Sequence, residues 1–170
     1  MSMILSDELV RVLRYATDEA MRTGAREVGV DHVLLAIIRD GNNGAADVLR
    51  MLGVDLQECK HFIESRISRG TMVPFSERDS IAVSREVQSM ISLSMAEASS
   101  RGCDRAGAVH ALSSMFNLSG GEGRKYLAEL GVTRSAVDGL APAVSKPASP
   151  VTGPAISYIG INSTNNKISS

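Results

Sequence analysis

Gly29-Val30-Asp31-His32-Val33-Leu34-Leu35-Ala36-Ile37-Ile38 returns 78 positions later as Gly107-Ala108-Val109-His110-Ala111-Leu112-Ser113-Ser114-Met115-Phe116. Both stretches place a glycine three residues before a histidine and a leucine two residues after it. Working outward, residues 84–132 overlay residues 6–54 without a gap, and twelve of the 49 pairs are identical. Ordinary composition would give roughly three. A duplicated unit of this size predicts two similar helical bundles joined as one body, with any site occurring twice.

Helical periodicity fills in each unit. Leu9, Val12, Leu13, Ala16 and Ala20 form one apolar stripe over 7–23, with Ser6 as N-cap and Gly24 as the stop. The quoted stretch is apolar nearly all round. It predicts a buried central helix over 32–39, with Asp31 as its cap. A third helix is expected over 45–52. A fourth, to about 68, opens with the Asp55 and Glu58 capping pattern. The second unit repeats the order at 85–101, 109–117, 122–130 and after Thr133. Its helices are expected to be shorter or more mobile, because Ser113 and Ser114 dilute the central helix and Gly139 and Pro142 interrupt the last one. The fold class is all-α: two pseudo-symmetric four-helix repeats at 1–70 and 84–144, a connector at 71–83 and a flexible C-terminal tail at 145–170. Four of the five prolines fall between Pro142 and Pro154, and the run 155–161 has strand-like composition.

Composition narrows the function classes. The chain has 170 residues, 44% of them hydrophobic but only 4% aromatic, so aliphatic residues and methionine must fill the core. A net charge of −1, from 18 basic and 19 acidic residues, argues against a nucleic-acid partner. No stretch approaches the ~20 apolar residues of a membrane span, and the N-terminus lacks a basic signal-peptide region. Cys59 and Cys103 occupy non-equivalent positions and form no CxxC pair, which fits reduced thiols and a cytoplasmic protein.

Candidate chemistry is sparse. His32 and His110 lack a metal-binding partner four residues on, so each is read as a histidine that bonds nearby groups and fixes the start of a buried helix. Glu19 and Glu97 are equivalent and are read as solvated or capping glutamates. The run 120–125 lacks phosphate-loop spacing, so no nucleotide or other cofactor is expected. A small hydrolase using His32 with a cysteine is the remote alternative.

Ser6-Asp7-Glu8, Ala20, Gly24, the run 29–37, Ala45-Ala46-Asp47-Val48-Leu49 and Leu52-Gly53-Val54 together resemble the Clp N-terminal domain. That domain is the double repeat at the front of ClpC- and ClpA-type AAA+ unfoldases. The resemblance covers about residues 4–144 and is stronger in the first repeat. It implies a non-catalytic module that docks substrate proteins and adaptor proteins for an ATPase ring and, indirectly, its ClpP peptidase. A free-standing accessory protein that binds either ring is the alternative. In ClpC-type members a hydroxyl at the start of the first helix and a carboxylate before the central histidine serve a phospho-arginine pocket in each repeat. The matching positions are Ser6 and Asp31 in the first repeat and Ser84 and Val109 in the second. Val109 carries no charge, so at most one such pocket, built from Ser6 and Asp31, is expected.

Overall fold

The computed structural model describes residues 3–145 apart from Ser68 and Gly120. The expected tail, with its strand-like run, lies outside the described residues. The first repeat contains β1 (Ile4–Leu5), α1 (Asp7–Arg22), β2 (Glu27–Val28), α2 (Val30–Asp40), α3 (Gly44–Met51) and α4 (Leu56–Arg66). A 3₁₀ helix (Phe75–Ser80) and β3 (Ala82–Val83) follow. They lead into α5 (Arg85–Ser100), β4 (Arg105–Ala106), α6 (Ala108–Met115), α7 (Glu122–Glu129) and α8 (Arg134–Val144). The all-α, two-repeat class expected from the periodicity is therefore the observed one.

Side-chain caps open the helices where the sequence placed them. The Ser6 hydroxyl accepts from Leu9 N at 3.0 Å, and its counterpart Ser84 accepts from Val87 N at 3.1 Å. Asp55 accepts from Gln57 N and Glu58 N, and its counterpart Thr133 accepts from Ala136 N. Each such bond satisfies an amide that the helix leaves unpaired. Gly24 takes a left-handed φ of +80°, and the Gly70 backbone packs so tightly against it that a β-carbon would lie 2.5 Å from Gly70 C. Any side chain there would push the connector off the end of α1.

Three expectations are corrected. α2 begins at Val30, two residues earlier than expected, because Gly29 rather than Asp31 is its N-cap. α8 is unbroken and as long as α4, at 11 residues each. Pro142 has no N–H to give to the Asp138 carbonyl, but Arg101 Nη1 reaches that carbonyl at 3.5 Å, and Val137 and Ala141 anchor the helix in the core. Two short parallel bridges also interrupt the helical order, β1 with β4 and β2 with β3. Two-residue strands leave too little alternation for a periodicity reading to find.

Those bridges join the repeats. β1, at the start of the first repeat, pairs with β4 of the second, and Ser6 N donates to Ala106 O at 2.8 Å. β3, after the connector, pairs back with β2, and Ser84 N donates to Val28 O at 3.0 Å. The start of α1 is thereby set beside the start of α6, and the start of α5 beside that of α2. Between the repeats, Leu9, Leu34, Leu49, Ile63, Met90, Leu112 and Leu127 share one continuous core. α3 packs on α6 and α8, and α4 on α7, where Phe62 and Tyr126 stack with centroids 4.4 Å apart. Of the methionines, Met21, Met90 and Met115 are core filler, whereas Met51 and Met72 are exposed.

Candidate functional site

Both central histidines fix helix starts. His32 Nδ1 accepts from Gly29 N at 2.9 Å, and His110 Nδ1 accepts from Gly107 N at 2.9 Å. With Nδ1 accepting, the neutral ring carries its proton on Nε2. In the first repeat Nε2 lies 3.3 Å from the Thr23 hydroxyl, which itself donates to the carbonyls of Glu19 and Ala20. The counterpart of Thr23 is Arg101, and the buried His110 Nε2 has no hydrogen-bond partner among the described residues. Burial, the dominant cause, lowers the pKa of both imidazoles; beside His110, Arg101 adds to it. Burial also pushes the Cys59 thiol up to about 12, so it stays protonated. Neither feature suits a nucleophile and its base. Both cysteines are free and buried.

Glu19 and Glu97 are not solvated. Each is the hub of an ion-pair network: Glu19 with Arg22 and Arg39, Glu97 with Arg101 and Arg134. Arg22 and Arg101 lie one turn along from their glutamates, but Arg39 and Arg134 reach in from other helices, and that part of each network leaves no local signal in the sequence.

The crossed bridges re-pair the four residues that the resemblance singles out. Asp31 lies with Ser84, not with Ser6. Both line a cleft of roughly 450 Å³ together with Glu27, His32, Glu86 and Gly121. Asp31 sits in the first turn of α2 and reaches the other repeat. Its Oδ2 accepts from Glu122 N at 3.0 Å and its Oδ1 from Gly123 N at 2.8 Å, capping α7. Three carboxylates, Glu27, Asp31 and Glu86, line this cleft, and among the described residues no lysine or arginine does.

Ser6 lies instead beside the start of α6, where Val109 is 2% exposed and packs in the core. Here Glu8 does the bridging. Its Oε1 accepts from Ala108 N at 2.9 Å and its Oε2 from Gly44 N at 3.1 Å, tying α6 to α3. Val144 packs over Gly44 as well. Duplication has thus left a cleft at one junction and a Glu8 bridge at the other. A glutamate at position 109 would be a buried carboxylate beside the amide that Glu8 already holds.

Among the described residues no group of histidine, cysteine and carboxylate side chains is arranged to hold a metal ion, and no helix is long and apolar enough to cross a membrane.

Two interlocked four-helix repeats with crossed helix starts define a double-repeat helical module. Residues 4–130 match the model of the Clp repeat (R) N-terminal domain, and the chain belongs to that family. It is 32% identical over 123 residues to the negative regulator of genetic competence ClpC/MecB of Bacillus subtilis, which covers 72% of this chain and 15% of that protein. It is 28% identical over 135 residues to the chloroplastic chaperone protein ClpC1 of Arabidopsis thaliana, covering 76% of this chain and 14% of the relative. The chain thus spans about a seventh of the curated relatives it matches. Among solved structures, the N-domain of ClpV from Vibrio cholerae superposes with a TM-score of 0.70 at 14% identity, covering 82% of this chain and 84% of that one. The N-terminal domain of the ClpD chaperone of Arabidopsis thaliana gives 0.64 at 15% identity, covering 82% and 95%. At these identities the structural matches speak to the fold.

Proposed function

We propose that this chain is a non-catalytic recognition module that docks client or adaptor polypeptides for a Clp-type unfoldase, and that docking occurs in the cleft between the starts of α2 and α5. The observation that carries the reading is the lining of that cleft: three carboxylates and, among the described residues, no lysine or arginine. Such a lining suits a guanidinium, which pairs with carboxylates through a planar fork of donors. Ser84 and Glu86, at the start of α5, line the same cleft, and a helix start with a hydroxyl suits a phosphoryl group on that guanidinium. Phospho-arginine recognition therefore belongs with Asp31 and Ser84 in one cleft. Ser6 and Val109 belong to the junction that Glu8 bridges. The expected cytoplasmic setting, and any ATPase or ClpP ring served by the module, are part of the same proposal.

The test is a titration of phospho-arginine and of an arginine-rich peptide into the wild type and into Ser84→Ala, Glu86→Gln and Ser6→Ala. One site weakened by the first two changes, and unaffected by the third, is expected. Binding that is indifferent to Ser84 and Glu86 overturns the assignment.

A further inference from the structure

Toward the other end of α2, a second cavity of about 420 Å³ opens between α1, α2 and α4. Leu35 and Ile38 form its apolar floor, and Arg22, Arg39 and Lys60 stand at its rim around the buried Glu19. The same place in the second repeat holds an internal carboxylate. There the counterpart of Lys60 is Asp138, whose carboxylate accepts from the Ser113 hydroxyl at 2.6 Å and pairs with Arg101 and Arg134 at 3.2 and 3.3 Å. Two carboxylates, Glu97 and Asp138, balance the two arginines. In the first repeat all three partners of that carboxylate are gone: Leu35 replaces Ser113, Thr23 replaces Arg101 and Leu56 replaces Arg134. What stands there is cationic. Asp18, Glu19 and Glu64 are shared among Arg22, Arg39, Arg69 and Arg78. Half-buried Lys60 adds a fifth positive charge, with no hydrogen bond or ion pair of its own among the described residues.

We propose that this cavity is a second recognition site, which takes a carboxylate side chain from an acidic segment of a docking polypeptide. The incoming carboxylate supplies the negative charge that Asp138 supplies internally in the other repeat. Lys60 and Arg39 pair with it, and its methylene groups lie over Leu35 and Ile38. Carboxylate chemistry is favoured because the duplicated copy of this network is built around a carboxylate. The site stands apart from the acidic cleft and selects the opposite charge.

The experiment uses a C-terminally amidated hexaglutamate peptide as probe, followed by the backbone amide resonances of the intact chain. Resonances of Ile38, Gln57 and Lys60 are expected to move. Lys60→Gln should weaken binding about fivefold, the size of one partly buried ion pair. Lys60→Asp should abolish it, while Arg50→Gln, at an exposed ion pair on α3, leaves it within about twofold. Glu86→Gln, in the acidic cleft, should leave hexaglutamate binding unchanged, so failure of one site is distinguishable from failure of the other. Unchanged affinity in Lys60→Asp, or shifts confined to other helices, overturns the proposal. So does inorganic phosphate moving the same amides as strongly as the peptide does, since the site would then read any anion.

Discussion

Asp31 Oδ1 accepts the backbone N–H of Gly123 at 2.8 Å, although 92 residues of chain separate the two. One side chain thus opens α7 of the second repeat from within α2 of the first. Asp31→Ala removes a cap and leaves the Glu122 and Gly123 amides without it. The expected loss is about 1–2 kcal/mol in urea denaturation. Asp31→Asn, which keeps one acceptor oxygen, should lose less. Equal stability of wild type and Asp31→Ala would show that the contact contributes nothing.

Gly123 is small for a packing reason. A β-carbon there would lie 2.3 Å from Leu34 Cδ2 and 3.1 Å from Ile63 Cδ1. In an open helix, replacing glycine with alanine gains up to about 1 kcal/mol. Here the overpacking costs about 1–3 kcal/mol, so Gly123→Ala should lower the melting temperature. Gly139, with nothing within 4 Å of its β-position, is the control: Gly139→Ala should raise it. If both substitutions stabilise, the close approach of α7 to Leu34 is wrong.

Leu34 and Leu112 are equivalent and both are 0% exposed. Truncating either to alanine should cost ~2–5 kcal/mol. Leu34→Ala is expected to be the worse, because Leu34 also packs against Gly123 across the repeat boundary. Matching small shifts of the denaturation midpoint would contradict this.

Acid should loosen both helix starts together. His32 and His110 are neutral acceptors whose folded pKa lies below the ordinary value of 6.5. The unfolded chain therefore binds protons first as pH falls, and stability declines below about 6.5, toward the folded pKa values. Above that window both states are neutral and these two groups contribute no slope. Midpoints of urea unfolding measured between pH 7.5 and 5 should fall for the wild type. They should fall less for a His32→Asn/His110→Asn variant, whose amide oxygens can accept the same glycine N–H without titrating. A parallel decline in the two proteins would assign the slope to the carboxylates instead.

Much of this molecule was legible in its sequence. Ser6, Ser84, Asp55 and Thr133 announced their helices, because an N-cap acts over three residues and leaves a local signature. The stripe Leu9, Val12, Leu13, Ala16 and Ala20 announced a buried face for the same reason; four of the five are fully buried and Leu13 is half-buried. Pro142 misled where Gly24 did not. The conformation of Gly24 is set by its own backbone, whereas the fate of the Asp138 carbonyl depends on Arg101, 37 residues away.

The duplication and the residues at each helix start were written in the chain. Which start meets which was not. Two-residue bridges carry almost no compositional signal, yet they place Ser84 beside Asp31 and Ser6 beside the junction at Glu8. The contrast between Lys60 and Asp138 likewise acquires meaning only when the helices are packed, because a charge is open or satisfied according to neighbours distant in sequence. Periodicity and capping are local and repeat along the chain, so the sequence alone determined most of the helices and their duplication. Charge pairing and helix-start pairing are long-range, so only the tertiary structure decided which residues of the two repeats meet.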